Sequence, residues 1–431
     1  MKKFLFLPLF ILMLLSSCGK ESNNRILKTI PINTTYVVIV DLDQIMKDLG
    51  SQEQNGKLMF GPELSGALEQ SGYTVSEILE KFANHGLDFS GSLAMFEYRG
   101  QSIFTCFSRD SEVTINSYQT KFYTDGDIIY SNEGIYLKDN QIWFDQHNVL
   151  TPDIIRQFTE LKNNENASKL SSAIKGGAAI NSFANIEFIS NILEYSSSWY
   201  SILNTLFGNP SYVNLAVSFE EGKMTAELNF LTNEFKKPKF ALKAPKINMK
   251  DINEYSGRGR LFYAFSLTNG EANEFFNSFF NEYSSDNDFL ESLQYIDGTI
   301  VGSIGPSSSG GSTFGLQIPF KKKDAAETFM NNIQTIGYLY DFTCELKDKK
   351  VYIHSYDMEG PDIQSIKRNF ENSAAAFSFL NNYNGSYIFY DIPFEGGSIK
   401  MKSGNHPSFV VQIDTEKGKN SLIYFIENFD M

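Results

Sequence analysis

The stretch 136–154, YLKDNQIWFDQHNVLTPDI, returns 209 residues later as 345–363, ELKDKKVYIHSYDMEGPDI. The two align without a gap. Leu137-Lys138-Asp139 falls on Leu346-Lys347-Asp348, and Pro152-Asp153-Ile154 falls on Pro361-Asp362-Ile363. Between them Ile142, Trp143 and Phe144 meet Val351, Tyr352 and Ile353. Each copy reads as a hairpin followed by a helix. Asp139-Asn140 and Asp348-Lys349 are turn formers, and a Pro suits a first helical turn. Self-similarity at a fixed offset points to a duplicated unit.

The flanks agree in element order. Each copy opens with an apolar run of strand length, Tyr36–Leu42 and Leu261–Leu267, followed by a helical pattern. In the second copy that pattern is EANEFFNSFFNEY, with Phe275, Phe276, Phe279, Phe280 and Tyr283 on one face. Two strands come next: Ser92–Tyr98 with Ser102–Ser108, and Ile300–Ile304 with Thr313–Ile318. A helix then starts near Asp110 or Asp324, Asp being a good N-cap. After the aligned hairpin and its helix, each copy is expected to close with a hairpin, at Glu221-Gly222-Lys223 and Lys417-Gly418-Lys419. The Lys- and Pro-rich stretch 234–250 marks a boundary. These signals predict an α+β fold of two tandem related units, each a largely antiparallel sheet covered by helices. The units are placed at 29–235 and 248–431, with 236–247 as linker. An extra segment near 51–66 and a long helical pattern at 185–207 belong to the first copy alone.

The chain has 431 residues, 42% hydrophobic and 20% charged, with 38 Phe and 22 Tyr. This is too apolar for a disordered protein. A net charge of −14 argues against nucleic-acid binding, whose footprint is basic. Three Cys exclude a disulfide scaffold, and four His make a His-rich metal site a poor expectation.

The N-terminus reads as an address. Lys2 and Lys3 precede an apolar stretch, Phe4 to Leu15, too short to span a bilayer and suited to a signal peptide. Leu15-Ser16-Ser17-Cys18 looks like a bacterial lipobox. Residues 1–17 are therefore expected to be removed and Cys18 acylated, and two or more acyl chains hold a protein stably at a membrane. Gly19, where Asp would favour inner-membrane retention, points to the outer membrane. Lys20-Glu21 partly matches a surface-export signal whose next acidic position is here Ser22. Residues 18–28 are expected to form a tether.

Ile30-Pro31, Tyr36–Leu42, Leu64-Ser65-Gly66-Ala67-Leu68 and Gly86-Leu87-Asp88-Phe89 follow the lipobox in that order. The pattern resembles a large family of uncharacterised Bacteroidetes lipoproteins, known as a domain of unknown function. The resemblance covers nearly the whole chain. It implies a lipid-anchored outer-membrane protein and brings no catalytic residue or ligand with it.

No constellation assembles into an active site. Cys106 and Cys344 do not fall on equivalent positions and are expected as buried free thiols, with an inter-unit disulfide as the alternative. His85, His147, His354 and His406 lack metal-ligand spacing and read as loop or surface residues. Asp41 and Asp43 form a D-x-D at a strand end, but Asp43 also suits the N-cap of the following helix. The Gly/Ser run 302–315 lacks the Gly-Lys-Ser/Thr ending of a phosphate loop and joins two strands. Lys321-Lys322-Lys323 reads as a solvated helix entry.

The aromatic pattern is the more telling. Gln141, Trp143 and Asp145 share one strand face, and Lys350, Tyr352 and His354 share its counterpart. A large aromatic among polar neighbours suits stacking against a sugar or anchoring a partner protein. A covering helix that buries it is the alternative. Trp199 lies off the apolar stripe of 185–207 and is a third candidate contact. The expected function is therefore a non-catalytic binding or scaffold lipoprotein of the outer membrane, without metal or cofactor. Its partners would be the membrane, through Cys18, and a glycan or an envelope protein. The rivals are a hydrolase using paired carboxylates and a periplasm-facing assembly factor.

Overall fold

The computed structural model describes residues 25–31, 34–54, 57–70, 86–88, 90–160, 170–171, 173–192, 210–239, 245–268, 291–308, 312–340, 342–355, 357–380, 382–383, 386–387, 395–406 and 408–428. Cys18, Gly19, Lys20, Glu21, Trp199, the helical pattern 271–283 and residues 193–207 of the pattern 185–207 lie outside them.

Eighteen strands belong to one antiparallel sheet. They are β1 (Tyr36–Asp41), β2 (Ser92–Tyr98), β3 (Gln101–Phe107), β4 (Phe122–Asp125), β5 (Ile128–Ser131), β6 (Ile135–Lys138), β7 (Gln141–Phe144), β8 (Ile180–Asn185), β9 (Tyr212–Glu220) and β10 (Lys223–Leu231). They continue as β11 (Leu261–Leu267), β12 (Gly298–Pro306), β13 (Ser312–Pro319), β14 (Phe342–Lys347), β15 (Lys350–Ser355), β16 (Ser373–Leu380), β17 (Gly396–Lys402) and β18 (Phe409–Asp414). The expected α+β fold, with a separate helix-covered sheet in each of two tandem units, is thereby corrected. The chain is mostly one large antiparallel sheet, and helices are the lesser part. Alternation in a sequence says which face of a strand is buried. It does not say where a sheet stops, because an edge strand's free N–H and C=O groups accept any strand that reaches them.

Two compact units divide the described residues. One takes those up to 204 together with those of 209–237 and 415–428, and the other those of 238–414. In the first, the strands pair in the order β10-β9-β8-β1-β2-β3-β7-β6-β5-β4. In the second the order is β18-β17-β16-β11-β12-β13-β15-β14. The first eight positions correspond strand for strand, and the first unit adds the β4–β5 hairpin. The turns at Asp139-Asn140 and Asp348 take positive φ, as tight hairpins require.

In the first unit both faces of the sheet are covered, which explains the unbroken apolar run of β1. Val40 of β1, Leu93, Cys106 and Ile142 pack on one side with the helices α1 (Leu42–Asp48) and α2 (Pro62–Gln70). Val37, Ile39, Phe96 and Trp143 pack on the other, with α4 (Pro152–Glu160). This unit also holds α3 (Ser111–Ser117) and α5 (Ile186–Ile192). Asp41, not Asp43, caps α1 by accepting the Gln44 amide, while Asp43 pairs with Lys47 one turn on. Asp110 caps α3 through the amides of Glu112 and Val113.

The expected tether ends in the core. Arg25–Leu27 form a helical turn whose Ile26 and Leu27 are fully buried, with Ile30 beside them. In the second unit α6 (Met249–Glu254) buries Ile252 ahead of β11, and α7 (Lys323–Tyr340) covers the opposite face through Ala326 and Phe329.

Two further expectations are corrected. After Pro361 the chain forms two 3₁₀ turns, Ile363–Ser365 and Lys367–Phe370, instead of a helix. At Lys417-Gly418-Lys419 there is no hairpin: the chain enters α8 (Ser421–Asn428), capped by Asn420. The Leu422–Ile426 run is short and apolar, and periodicity alone cannot separate strand from helix in such a run. Leu422, Ile423 and Ile426 fill the core of the first unit, not the second. Among the described residues no helix is long and apolar enough to cross a membrane.

Candidate functional site

The two aromatic strand faces end differently. Trp143 is 0% exposed, and Gln141 and Asp145 are buried beside it. Gln141 donates to Thr29 Oγ1 and Thr105 Oγ1, both at 2.8 Å, so its amide ties the N-terminal turn to the sheet. Asp145 accepts the amides of His147 at 2.9 Å and Leu150 at 2.6 Å. That folds the loop 146–150 so that Leu150 and then α4, through Ile154, Ile155 and Phe158, close over the tryptophan. The expected platform at Trp143 is therefore corrected: the ring is core. Its Nε1–H has no partner among the described residues.

In the second unit Tyr352 is half-buried and His354 exposed. Tyr352 stands opposite Gln317 of β13 and Glu345 of β14. A cleft of about 220 Å³ opens beside it. Its walls come from β15 (Tyr352, His354, Ser355), from β13 (Gly315, Leu316), from the segment 255–258 after α6, and from Met358. Tyr255 is buried, and its hydroxyl is 2.7 Å from Ser303 Oγ at the floor. Gly315 makes that floor possible, because a Cβ there would come within 2.6 Å of the Tyr255 hydroxyl.

Arg258 is carried to the rim by a backbone crossing. It bridges to Asp362, Gly259 N–H donates to Pro361 O at 3.1 Å, and Arg260 N–H donates to Ile304 O at 2.9 Å. Gly259 has φ of 156°, and a Cβ on it would lie 2.6 Å from Ile304 O.

Charge around the cleft is arranged in pairs. Lys350, at the position of Gln141, reaches Asp251 Oδ1 and Glu254 Oε2 at 2.5 Å each. Burial works against the Lys350 charge, but the two carboxylates outweigh it and raise its pKa. The hydrogen bond from Lys350 lowers the pKa of Glu254. Lys347 pairs with Glu345 at 2.7 Å and lies 5.2 Å from the Tyr352 ring centroid. Burial raises the Tyr352 pKa, so the phenol is neutral over the physiological range. Such a cleft offers a ring face, hydroxyls, an imidazole and a guanidinium. This equipment suits recognition of a small polar ligand.

Of the candidate contacts Trp143, Tyr352 and Trp199, the structure brings Tyr352 to this site, with His354 of the same strand face beside it, while Trp143 is buried elsewhere and Trp199 lies outside the described residues. Sequence reasoning missed Tyr255 and Arg258. The available signal was Gly257-Arg258-Gly259, a cation between two glycines in an acidic chain. Cys106 is buried and Cys344 half-buried; both are free, and burial pushes the Cys106 thiol up to about 12 and Cys344 to about 11. His147 and His406 are exposed, and His85 lies outside the described residues. Lys322 stands 4.0 Å from the Tyr295 ring centroid, and Lys323 pairs with Glu327. The Gly/Ser run 302–315 is mostly strand, β12 continuing to Pro306 and β13 starting at Ser312.

No family model matches the chain, and none of the curated proteins does. Among solved structures, the chain is similar to TP0453 in its crystal form I, at 7% identity and a TM-score of 0.29, over 79% of this chain and 95% of that one.

Proposed function

We propose that this protein is a lipid-anchored binding module of the bacterial outer membrane, acylated at Cys18, that takes a small polar ligand in the Tyr352 cleft. The anchor is supported by the lipobox Leu15-Ser16-Ser17-Cys18 and by Gly19 after it. The binding role is carried by one observation: Tyr352, an aromatic among polar groups, lines a cleft, whereas its counterpart Trp143 is sealed in the core. A sugar is the ligand class that such a ring and its neighbouring hydroxyls suit. The described residues lining the cleft bring no carboxylate pair, so the cleft itself favours capture over a two-carboxylate hydrolase.

The test uses the full chain extracted in detergent. Glycan arrays scored together for retention and for released product should give retention alone, and Tyr352→Ala should remove it. Product release would overturn the non-catalytic reading, and retention unchanged by Tyr352→Ala would overturn the site. Cys18→Ala should shift the protein out of the membrane fraction and abolish labelling by an acyl-chain analogue.

A further inference from the structure

The cleft is unusual for this chain in its charge. The protein carries 51 acidic residues against 37 Lys and Arg. Yet the described residues lining the cleft include Arg258 and His354 and no Asp or Glu. The other cations near Tyr352 are engaged, Lys350 by Asp251 and Glu254, Lys347 by Glu345. The Arg258 side chain is exposed and makes no hydrogen bond or ion pair among the described residues. A guanidinium presents a planar fork that matches a carboxylate in two parallel hydrogen bonds. Here the fork hangs from backbone pinned on both sides, at the Arg258–Asp362 bridge and at Gly259.

We propose that the cleft takes a carboxylated pyranose, the acidic unit of an anionic glycan, with its ring against Tyr352 and its carboxylate on Arg258. This deepens the reading of the cleft as a binding site and rests on it. The volume of about 220 Å³ fits one ring, being below the ~300–1,000 Å³ of sites for drug-sized ligands. The Tyr352 ring gives a sugar ring something to cover and gives a bare anion such as phosphate nothing. His354, next along the same strand face, adds a second nitrogen donor towards the carboxylate side.

The experiment titrates the full chain in detergent with glucuronic acid, glucose and inorganic phosphate, followed by calorimetry. Glucuronic acid should bind, glucose roughly tenfold or more weakly, as expected for one lost charge-assisted contact, and phosphate not measurably. Added salt should weaken glucuronic acid and spare glucose. Arg258→Gln should bring glucuronic acid down to the level of glucose, and His354→Gln should lower it less. Both side chains are exposed, so thermal unfolding of the variants should match the parent. Equal affinity for glucose and glucuronic acid, or binding indifferent to Arg258→Gln but lost in Tyr352→Ala, would overturn the acidic-sugar assignment and leave the cleft as a binding site. Glucuronic acid binding indifferent to Tyr352→Ala would overturn the cleft itself. Phosphate that binds as well as glucuronic acid would show that the ring is not read. Silence towards all three would overturn the assignment, and other glycans captured through Tyr352 would still uphold the site.

Discussion

Strands β7, with the residue after it, and β15 carry three matched positions on one face: Gln141, Trp143 and Asp145 in the first, Lys350, Tyr352 and His354 in the second. In the first unit all three are buried, and the face is closed by the N-terminal turn and α4. In the second the aromatic is half-buried, the last position is exposed, and a cleft stands where the lid would be. One residue type accounts for much of this. Asp145 gathers two loop amides and turns the chain back over the strand; His354 gathers none. A nine-residue helix then covers Trp143, while two 3₁₀ turns follow Asp362. The same strand face serves as core in one setting and as binding surface in the other, and the loop that follows decides which.

The sharpest way to break this comparison is at the aromatics. Trp143→Ala should cost about 3–5 kcal/mol, as large-to-small changes of fully buried aromatics do. Tyr352→Ala should cost under about 1.5 kcal/mol, because its ring is only partly buried. Denaturant midpoints of the two variants check this, and equal losses would mean that the second face is closed too.

Next in size is Lys350→Met, which strands the buried Asp251 and should cost about 2–3 kcal/mol, less than for a fully buried pair because Lys350 is partly solvated. The difference from the parent should vary with pH. Lys350 has a raised folded-state pKa, so its share holds below the ordinary lysine value and fades as pH rises through the raised one. Glu254 has a lowered one, so its share holds above the ordinary glutamate value and fades as pH falls through the lowered one. The gap between variant and parent should be flat from about pH 5 to about pH 10 and narrow outside it. A gap that changes steadily across neutral pH would contradict the pairing.

Asp145→Asn keeps the shape and removes the charge that two amides point at, and should cost about 1–2 kcal/mol. His354→Ala should stay within about 0.5 kcal/mol. If both are silent, the loop is held by its apolar contacts and not by Asp145.

The smallest effect is a gain. Asp48 accepts from Gln44 at 2.7 Å through one oxygen, while the other, Oδ2, is buried without a partner among the described residues. Burial raises its pKa to about 6, where Asp251 in the second unit has a lysine. A carboxyl with a raised folded-state pKa favours the fold most below its unfolded value, and that advantage is gone once pH has risen through about 6. Asp48→Asn should therefore raise stability at pH 7 by about 1 kcal/mol, the full shift being discounted for partial exposure, and flatten the decline between about pH 4 and pH 6. An unchanged melting temperature would mean that water reaches the free oxygen.

Much of the local structure was legible in the residues. Leu261–Leu267 and Ser92–Tyr98 are strands where the alternation and turn signals put them, and Asp110 caps its helix. Which residues share the Trp143 face also followed from period two. What alternation cannot carry is what lies above a face, and that is where the expectation for Trp143 failed: its lid comes from 26–30 and 150–158, one of them over a hundred residues away. Asp145 looked like a polar neighbour of an exposed ring because a carboxylate reads as solvent-facing until its two amide donors are placed. Arg258 and Tyr255 escaped because the cleft is built by a backbone crossing at Gly259, and no linear pattern joins 255–258 to 352–358. The hairpin expected at 417–419 failed on a short apolar run that packs as a helix in the first unit.

The burial of Ile26 and Leu27 bears on how far the protein can wander. If Cys18 holds the lipid, six residues lie between it and Arg25, and a fully stretched chain from one to the other spans about 25 Å at most. The first unit then rides on a short mooring, close enough to the headgroups that it can swing but not drift.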